Sequence, residues 1–227
     1  MDDATKLRVA SYYRRLPRAG RFTGKCSMSV PPALEGKRVL DVMCRKGKGA
    51  YELSDHAGEH GFVLGVDPDA SDIEQANACA ALNHWSGNGW QRYLRFACAC
   101  PEDLSEAGVR DASFDVAYIN SALNTVFDRG LTLSEFLRCL APGGYVWVAQ
   151  GVFLSNDGGN PVVSESCERG NVFCGAVGMD EFRRWCLQLG FRSVSFEHIS
   201  PVSPDGEDAL PAESGESFVL ADVKIMV

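Results

Sequence analysis

Val39-Leu40-Asp41-Val42-Met43-Cys44-Arg45-Lys46-Gly47-Lys48-Gly49 is an apolar strand that runs into an acid and then into a glycine-bearing turn. A run of this kind opens the ligand site of a doubly wound parallel sheet, because the tight turn lets backbone amides face a bound group. Loops of this type usually keep glycines at the positions held here by Met43 and Arg45, and only Gly47 remains of that pattern. The stretch therefore predicts a nucleotide-type cofactor loop in which side chains occupy ground normally left to glycine. A basic turn of Arg45, Lys46 and Lys48 surrounds it.

Outward from this loop the chain alternates between strand and helix periodicity. Arg38–Met43, Phe62–Asp67, Tyr93–Cys98, Phe114–Ile119 and Tyr145–Ala149 read as five strands. Between them lie a short helix over Ala50–Ala57 and a longer one from Ser71 to about His84, with Ser71 and Glu74 as a capping box. Leu133, Phe136, Leu137 and Leu140 form an apolar stripe that Pro142-Gly143-Gly144 closes. Phe182, Trp185, Cys186 and Leu189 form a second stripe, ended by Gly190. Two strands, Ser193–Ile199 and Ser217–Val227, follow with no helix between them and predict an antiparallel hairpin. Before the sheet, Val9, Tyr12, Tyr13 and Leu16 share one face of a leading helix over Thr5–Leu16. The organisation is an N-terminal helix and loop segment over 1–35 and one α/β domain over 36–227, with a long irregular insertion at Ser155–Gly175.

Composition narrows the function classes. With 227 residues, 45% of them hydrophobic, the chain can bury one sizeable core. A formal charge of -8 argues against a nucleic-acid binder. The local basic run from Lys6 to Lys25 reads as a solvated helix face. No apolar run approaches a membrane span, and nine cysteines without scaffold spacing suit a reducing cytoplasm. Cys44, Cys79, Cys98, Cys139 and Cys186 read as small apolar residues, and Cys98-Ala99-Cys100 as a weak metal or arsenic candidate. His84 and His198 show no partner in the sequence, and Trp85, Trp90, Phe127 and Phe153 read as core.

Ligands of such sheets lie outside the carboxyl ends of the strands, where three acids fall in succession. Asp41 ends the first strand and can accept from a cofactor amine or order the loop. Asp67, followed by Pro68, ends the second, where a carboxylate can hold both hydroxyls of a ribose. Glu102 follows the third and is placed to meet an adenine amino group. Together they point to an adenosyl cofactor.

These motifs resemble those of the arsenite S-adenosylmethionine methyltransferases, and the resemblance runs through nearly the whole chain. It is carried by Gly36-Lys37-Arg38-Val39-Leu40-Asp41, Gly65-Val66-Asp67, Glu102-Asp103-Leu104-Ser105, Ser113-Phe114-Asp115-Val116 and Ala141-Pro142-Gly143-Gly144. It resumes at Cys174-Gly175-Ala176-Val177 and ends in Ser217-Phe218-Val219. The resemblance implies a Rossmann-like class I methyltransferase fold: a mostly parallel seven-stranded sheet with an antiparallel C-terminal hairpin. It further implies S-adenosylmethionine as cofactor, a small-molecule acceptor, and Asp41, Met43, Arg45, Gly47, Asp67, Pro68, Glu102 and Asn120 around the cofactor.

In that family thiolates hold soft trivalent arsenic against the sulfonium methyl. Cys26 matches the first family cysteine, but Ser121 stands at the second and Val172 at the third, with Cys174 two residues further on. Residue by residue, the resemblance therefore places Cys26, Ser121 and Cys174 on the acceptor side. Three readings follow: a methyltransferase with an altered acceptor site, a relative that kept the fold and lost the cofactor, or a loop in which Arg45, Lys46 and Lys48 take an anion.

Overall fold

The computed structural model describes residues 1–16, 28–81, 93–155, 171–173, 175–204 and 217–227. Helix α1 spans Asp3–Arg14, with Asp2 as its N-cap accepting the Thr5 amide at 2.8 Å. The domain then runs β1 Arg38–Val42, α2 Lys48–Ala57, β2 Phe62–Asp67, α3 Ala70–Cys79, β3 Leu94–Cys98 and β4 Phe114–Asn120. It continues through α4 Arg129–Cys139, β5 Leu140–Leu154, α5 Met179–Leu189, β6 Ser193–Val202 and β7 Phe218–Met226. Short 3-10 turns at Leu104–Ala107 and Leu123–Thr125 follow β3 and β4.

The seven strands form one sheet in the order β3-β2-β1-β4-β5-β7-β6. The first five pair in parallel, and β7 runs antiparallel to both β5 and β6. The expected seven-stranded sheet and its C-terminal hairpin are therefore present. Apolar side chains cover both faces, as a parallel sheet requires. One face packs Leu53 and Ala50 of α2 against Val39, Tyr118 and Trp147. The other packs Phe136 of α4 and Phe182 of α5 against Leu40, Val146 and Val223. Strand order reverses between β2-β1 and β4-β5, which opens a crevice at the carboxyl ends of β1 and β4. Among the described residues no helix is long and apolar enough to cross a membrane.

Three local expectations are corrected. Helix α3 is capped by Asp69, whose carboxylate accepts the Ser71 and Asp72 amides, so Ser71 lies inside the helix. Asp69 wins because the chain leaves β2 extended and turns helical only at Ala70. Strand β5 starts at Leu140, directly after α4, and takes Pro142-Gly143-Gly144 into an irregular register beside β4. It also runs on to Leu154 through a bulge at Ala149–Gln150, which Gly151 accommodates because a Cβ there would meet Phe153 at 2.8 Å. Cys79 and Cys98 are exposed, whereas Cys44, Cys139 and Cys186 are buried as expected.

Candidate functional site

The loop after β1 keeps a glycine-type path without its glycines. Met43 has φ 62°, Arg45 φ 51° and Gly47 φ 81°, so three alternate residues are left-handed. For Met43 and Arg45 this costs about 1–2 kcal/mol each, and the surrounding contacts must hold them there. One such contact is visible: Asp67 Oδ2 accepts the Arg45 amide at 2.8 Å, while Oδ1 accepts the Asp69 amide at 2.9 Å. Gly47 is required twice over, by its φ and because a Cβ would stand 2.6 Å from the Phe96 ring. The Arg45 side chain turns to Asp72 of α3, with Nε 3.7 Å from its carboxylate. Among the described residues the basic turn shows nothing that points to an anion site.

The three strand-end acids are all buried, at 3% exposure for Asp41 and 4% for both Asp67 and Glu102. Burial, with Asp67 nearby, pushes the Asp41 carboxyl well above the usual carboxylate range. Burial also raises Asp67, opposed by the amides of Asp69 and Arg45. Glu102 is raised by burial and pulled back by the Asp128 amide. Among the described residues Asp41 Oδ2 and Glu102 Oε2 have no hydrogen-bond partner. Buried carboxylate oxygens in that condition are costly and mark places where a donor is expected.

The sequence did not reveal that α1 supplies a wall to this site. Tyr13 donates to Glu102 Oε1 at 3.0 Å, and its oxygen accepts the Phe127 amide at 3.2 Å. Glu102 Oε1 also accepts the Asp128 amide at 3.0 Å. Tyr12 donates to the Thr125 carbonyl, and its ring meets Phe127 edge-on. Phe127 thus joins the helix to the turn after β4 and lies outside the core, while Phe153 is buried in it as expected. Tyr13 and Leu16 close a gap of about 50 Å³ over Met43, Arg45, Asp67 and Pro68. They also wall an adjoining void of about 610 Å³, which reaches Ala70, Ser71, Glu74 and Cys100. Small-molecule sites typically need roughly 300–1,000 Å³. The larger void has that room beside Pro68 and Asp69, whereas the space over Met43 and Asp67 is too small for more than a thin part of a ligand.

After β4, where the resemblance places the acceptor, Ser121 has φ 51° and its amide donates to the Ala149 carbonyl at 2.9 Å. Its hydroxyl donates to Asn120 Oδ1 at 3.1 Å. Asn124 donates through Nδ2 to the Val152 carbonyl at 2.8 Å and to the Val172 carbonyl at 2.9 Å. The turn holding Val172 is thereby fastened to the turn after β4, and Val172 itself is buried. Cys26 and Cys174, like Trp85, Trp90 and His84, lie outside the described residues. Burial and Glu102 push the Cys100 thiol up to about 12, and burial raises Cys98. Among the described residues no cluster of His, Cys, Asp and Glu could hold a metal ion.

His198 does have a partner, contrary to the sequence reading. Its Nδ1 lies 2.8 Å from Asp222 Oδ2, a pairing that depends on strand register and leaves no local signal.

A switch-point crevice, a left-handed loop and three buried strand-end acids define a small-molecule-binding α/β protein of the class I methyltransferase type. A methyltransferase domain family model matches residues 33–190, and the chain belongs to that family. An arsenite methyltransferase of Aquipseudomonas alcaligenes is 28% identical over 185 residues, covering 82% of this chain and 52% of that protein. The O-methyltransferase resE of Aspergillus sclerotiorum is 36% identical over 195 residues, covering 81% of this chain and 68% of that protein. Among solved structures, CrArsM, an arsenic (III) S-adenosylmethionine methyltransferase from Chlamydomonas reinhardtii, matches with a TM-score of 0.74 at 25% identity. That match covers 95% of this chain and 72% of that one. The chain spans about half the length of the arsenite methyltransferases it matches.

Proposed function

We propose that this chain binds S-adenosylmethionine and transfers its methyl group to a small-molecule acceptor in a reducing cytoplasm. The observation that carries this is the acid triad Asp41, Asp67 and Glu102 set around a loop that keeps left-handed geometry at Met43, Arg45 and Gly47. Loop strain of that kind persists where a ligand site needs the backbone path. When bound, S-adenosylmethionine supplies a methyl group activated on a sulfonium.

The residues fit such a donor. Asp67 has spent one lone pair of each oxygen on an amide and keeps capacity for two ribose hydroxyls. Glu102 Oε2, buried without a partner among the described residues, would take an adenine amino group, with Tyr13 fixing the other oxygen. Asp41 Oδ2, buried without a partner among the described residues, would take the donor's ammonium, and a Cβ at Gly49 would press on it at 3.4 Å. Pro68 borders both voids and would face the adenosine, and Asn120 with Ser121, at the end of β4, would face the acceptor. Residues 1–35 contribute one wall through Tyr13 and Leu16, and 36–227 supply the sheet.

Arsenite is not the favoured acceptor. With Ser121 and Val172 at two of three family thiol positions, the described residues offer no thiolate pair for a soft metalloid. The O-methyltransferase relative has the stated activity on oxygen and supports a harder acceptor atom. Titration calorimetry with S-adenosylhomocysteine on wild-type and Asp67→Ala protein tests the donor site. The proposal requires saturable binding that the substitution weakens.

A further inference from the structure

Parallel strands are usually joined by a helix that roofs the sheet. The crossover from β3 to β4 instead holds a four-residue 3-10 turn, Leu104–Ala107. Leu104 and Val109 of this crossover reach the core, but Phe62 at the start of β2 stays half-buried. Beneath the thin roof lies a cavity of about 610 Å³. Its apolar wall is Phe62, Leu64 and Ala97, with Phe114 of β4. Arg38, Phe62 and Phe114 each open their strands, so the cavity lies at the amino ends, opposite the crevice with the strand-end acids.

Three exposed arginines, Arg38, Arg95 and Arg110, line this cavity, and no acid does so among the described residues. Arg38 lies over two rings, 5.5 Å from the Phe62 centroid and 5.6 Å from that of Phe114. Arg95 lies over the same Phe62 ring at 5.8 Å. Two guanidiniums thus share one ring. Arg38 is fixed there by its Nε, which donates to the Ser113 carbonyl at 2.6 Å. The acids that flank this stretch are engaged elsewhere. Asp111 pairs with Arg138 at 2.7 Å, and Asp115 Oδ2 accepts the Arg38 amide at 2.8 Å. Residues 82–92, which lead into β3, contain no acid either. Like charges gathered around a ligand-sized space repel one another until an anion enters between them. Guanidinium forks match carboxylate and phosphate oxygens, and the aromatic wall suits a flat apolar body.

We propose that this cavity is a second ligand site, for a small organic anion with a flat apolar body: an aryl carboxylate or aryl phosphate. The ring of the ligand lies against Phe62, Leu64 and Ala97, and its anionic group sits among Arg38, Arg95 and Arg110. A concave space of this size suits a small molecule better than a flat protein surface. The site is at the other end of the sheet from the donor crevice, so it stands whether or not the methyl-transfer reading does.

The test is titration calorimetry of the full chain with 1-naphthoate, 1-naphthyl phosphate and the neutral 1-naphthamide. The anions should bind saturably, below about 1 mM, and the amide about tenfold more weakly. Arg95→Gln and Arg110→Gln, at exposed positions, should each weaken the anions about three- to tenfold. Arg183→Gln removes an arginine from over Phe196, on another part of the surface, and should change nothing. Ala97→Phe keeps all three charges and fills the apolar wall, so it should abolish binding in protein whose thermal melt shows an intact fold. Saturating S-adenosylhomocysteine should leave the titrations unchanged. Whichever anion binds more tightly identifies carboxylate or phosphate as the preferred group. Equal binding of anions and amide, indifference to both arginine substitutions, displacement by S-adenosylhomocysteine, or no saturable binding would each overturn the proposal. So would binding of an acidic, phenylalanine-containing peptide with neither anion bound, which would make this face a protein-docking surface.

Discussion

Replacing Met43 by glycine should tighten donor binding while leaving the fold about as stable as before. The residue holds φ 62° and lines the gap of about 50 Å³ over Asp67. Glycine relieves about 1–2 kcal/mol of left-handed strain and returns about 0.5–1 kcal/mol through its freer unfolded chain. The half-buried side chain gives up roughly 1 kcal/mol of apolar burial against the core. These terms nearly cancel, so the melting temperature should move by only a few degrees. Binding has no such cancellation. An overfilled site typically costs about 1–3 kcal/mol, and relief of the lower part of that range is about tenfold in affinity. Calorimetry with S-adenosylhomocysteine and thermal denaturation on the same Met43→Gly protein give both numbers. Unchanged or weaker affinity with intact stability would refute the reasoning that Met43 obstructs the loop.

Asp67→Ala removes the acceptor of two amides and should cost about 2–4 kcal/mol of stability as well as donor affinity, read by denaturant titration and calorimetry. Because burial raises the Asp41 carboxyl, its stabilising contribution is fully present below the unfolded carboxylate value of about 4 and is lost as pH rises through the folded value. Asp41→Asn should therefore melt higher than wild type at alkaline pH, with the gap closing toward pH 4 in thermal scans. Tyr13→Phe leaves Glu102 without its phenol donor, and the Glu102 carboxyl should titrate higher in carbon-detected NMR. The pair Ser121→Cys and Val172→Cys, on turns that Asn124 fastens together, should bind arsenite where wild type does not. Failure to do so would misplace the acceptor side.

Strand and helix periodicity was enough to read the sheet, its parallel body and its closing hairpin. Parallel strands here are continuous apolar runs, and the helices carry clean stripes such as Phe182, Trp185, Cys186 and Leu189. The ends were harder. Gln150-Gly151 looks like the close of a strand, but the backbone bulges and continues because β7 supplies Asp222 to the displaced amide. The acids at strand ends were legible because position along a strand fixes which end faces the crevice. Tyr13 was not, since an aromatic on an amphipathic stripe looks the same whether it meets a core or a carboxylate. Nor was the His198–Asp222 pair, which is made by register between two strands and by two bulges that no local pattern announces. Met43 and Arg45 read as an obstruction, and the backbone shows that they keep the left-handed path that glycines would take.

The methyl transfer proposed for this chain depends on whether the loop after β1 still holds the methyl donor. The most direct measurement is titration calorimetry of the reduced protein with S-adenosylmethionine and S-adenosylhomocysteine. The account predicts saturable, micromolar-range binding that Asp67→Ala weakens. No heat at millimolar ligand from well-folded protein would contradict it, leaving a methyltransferase fold without a donor.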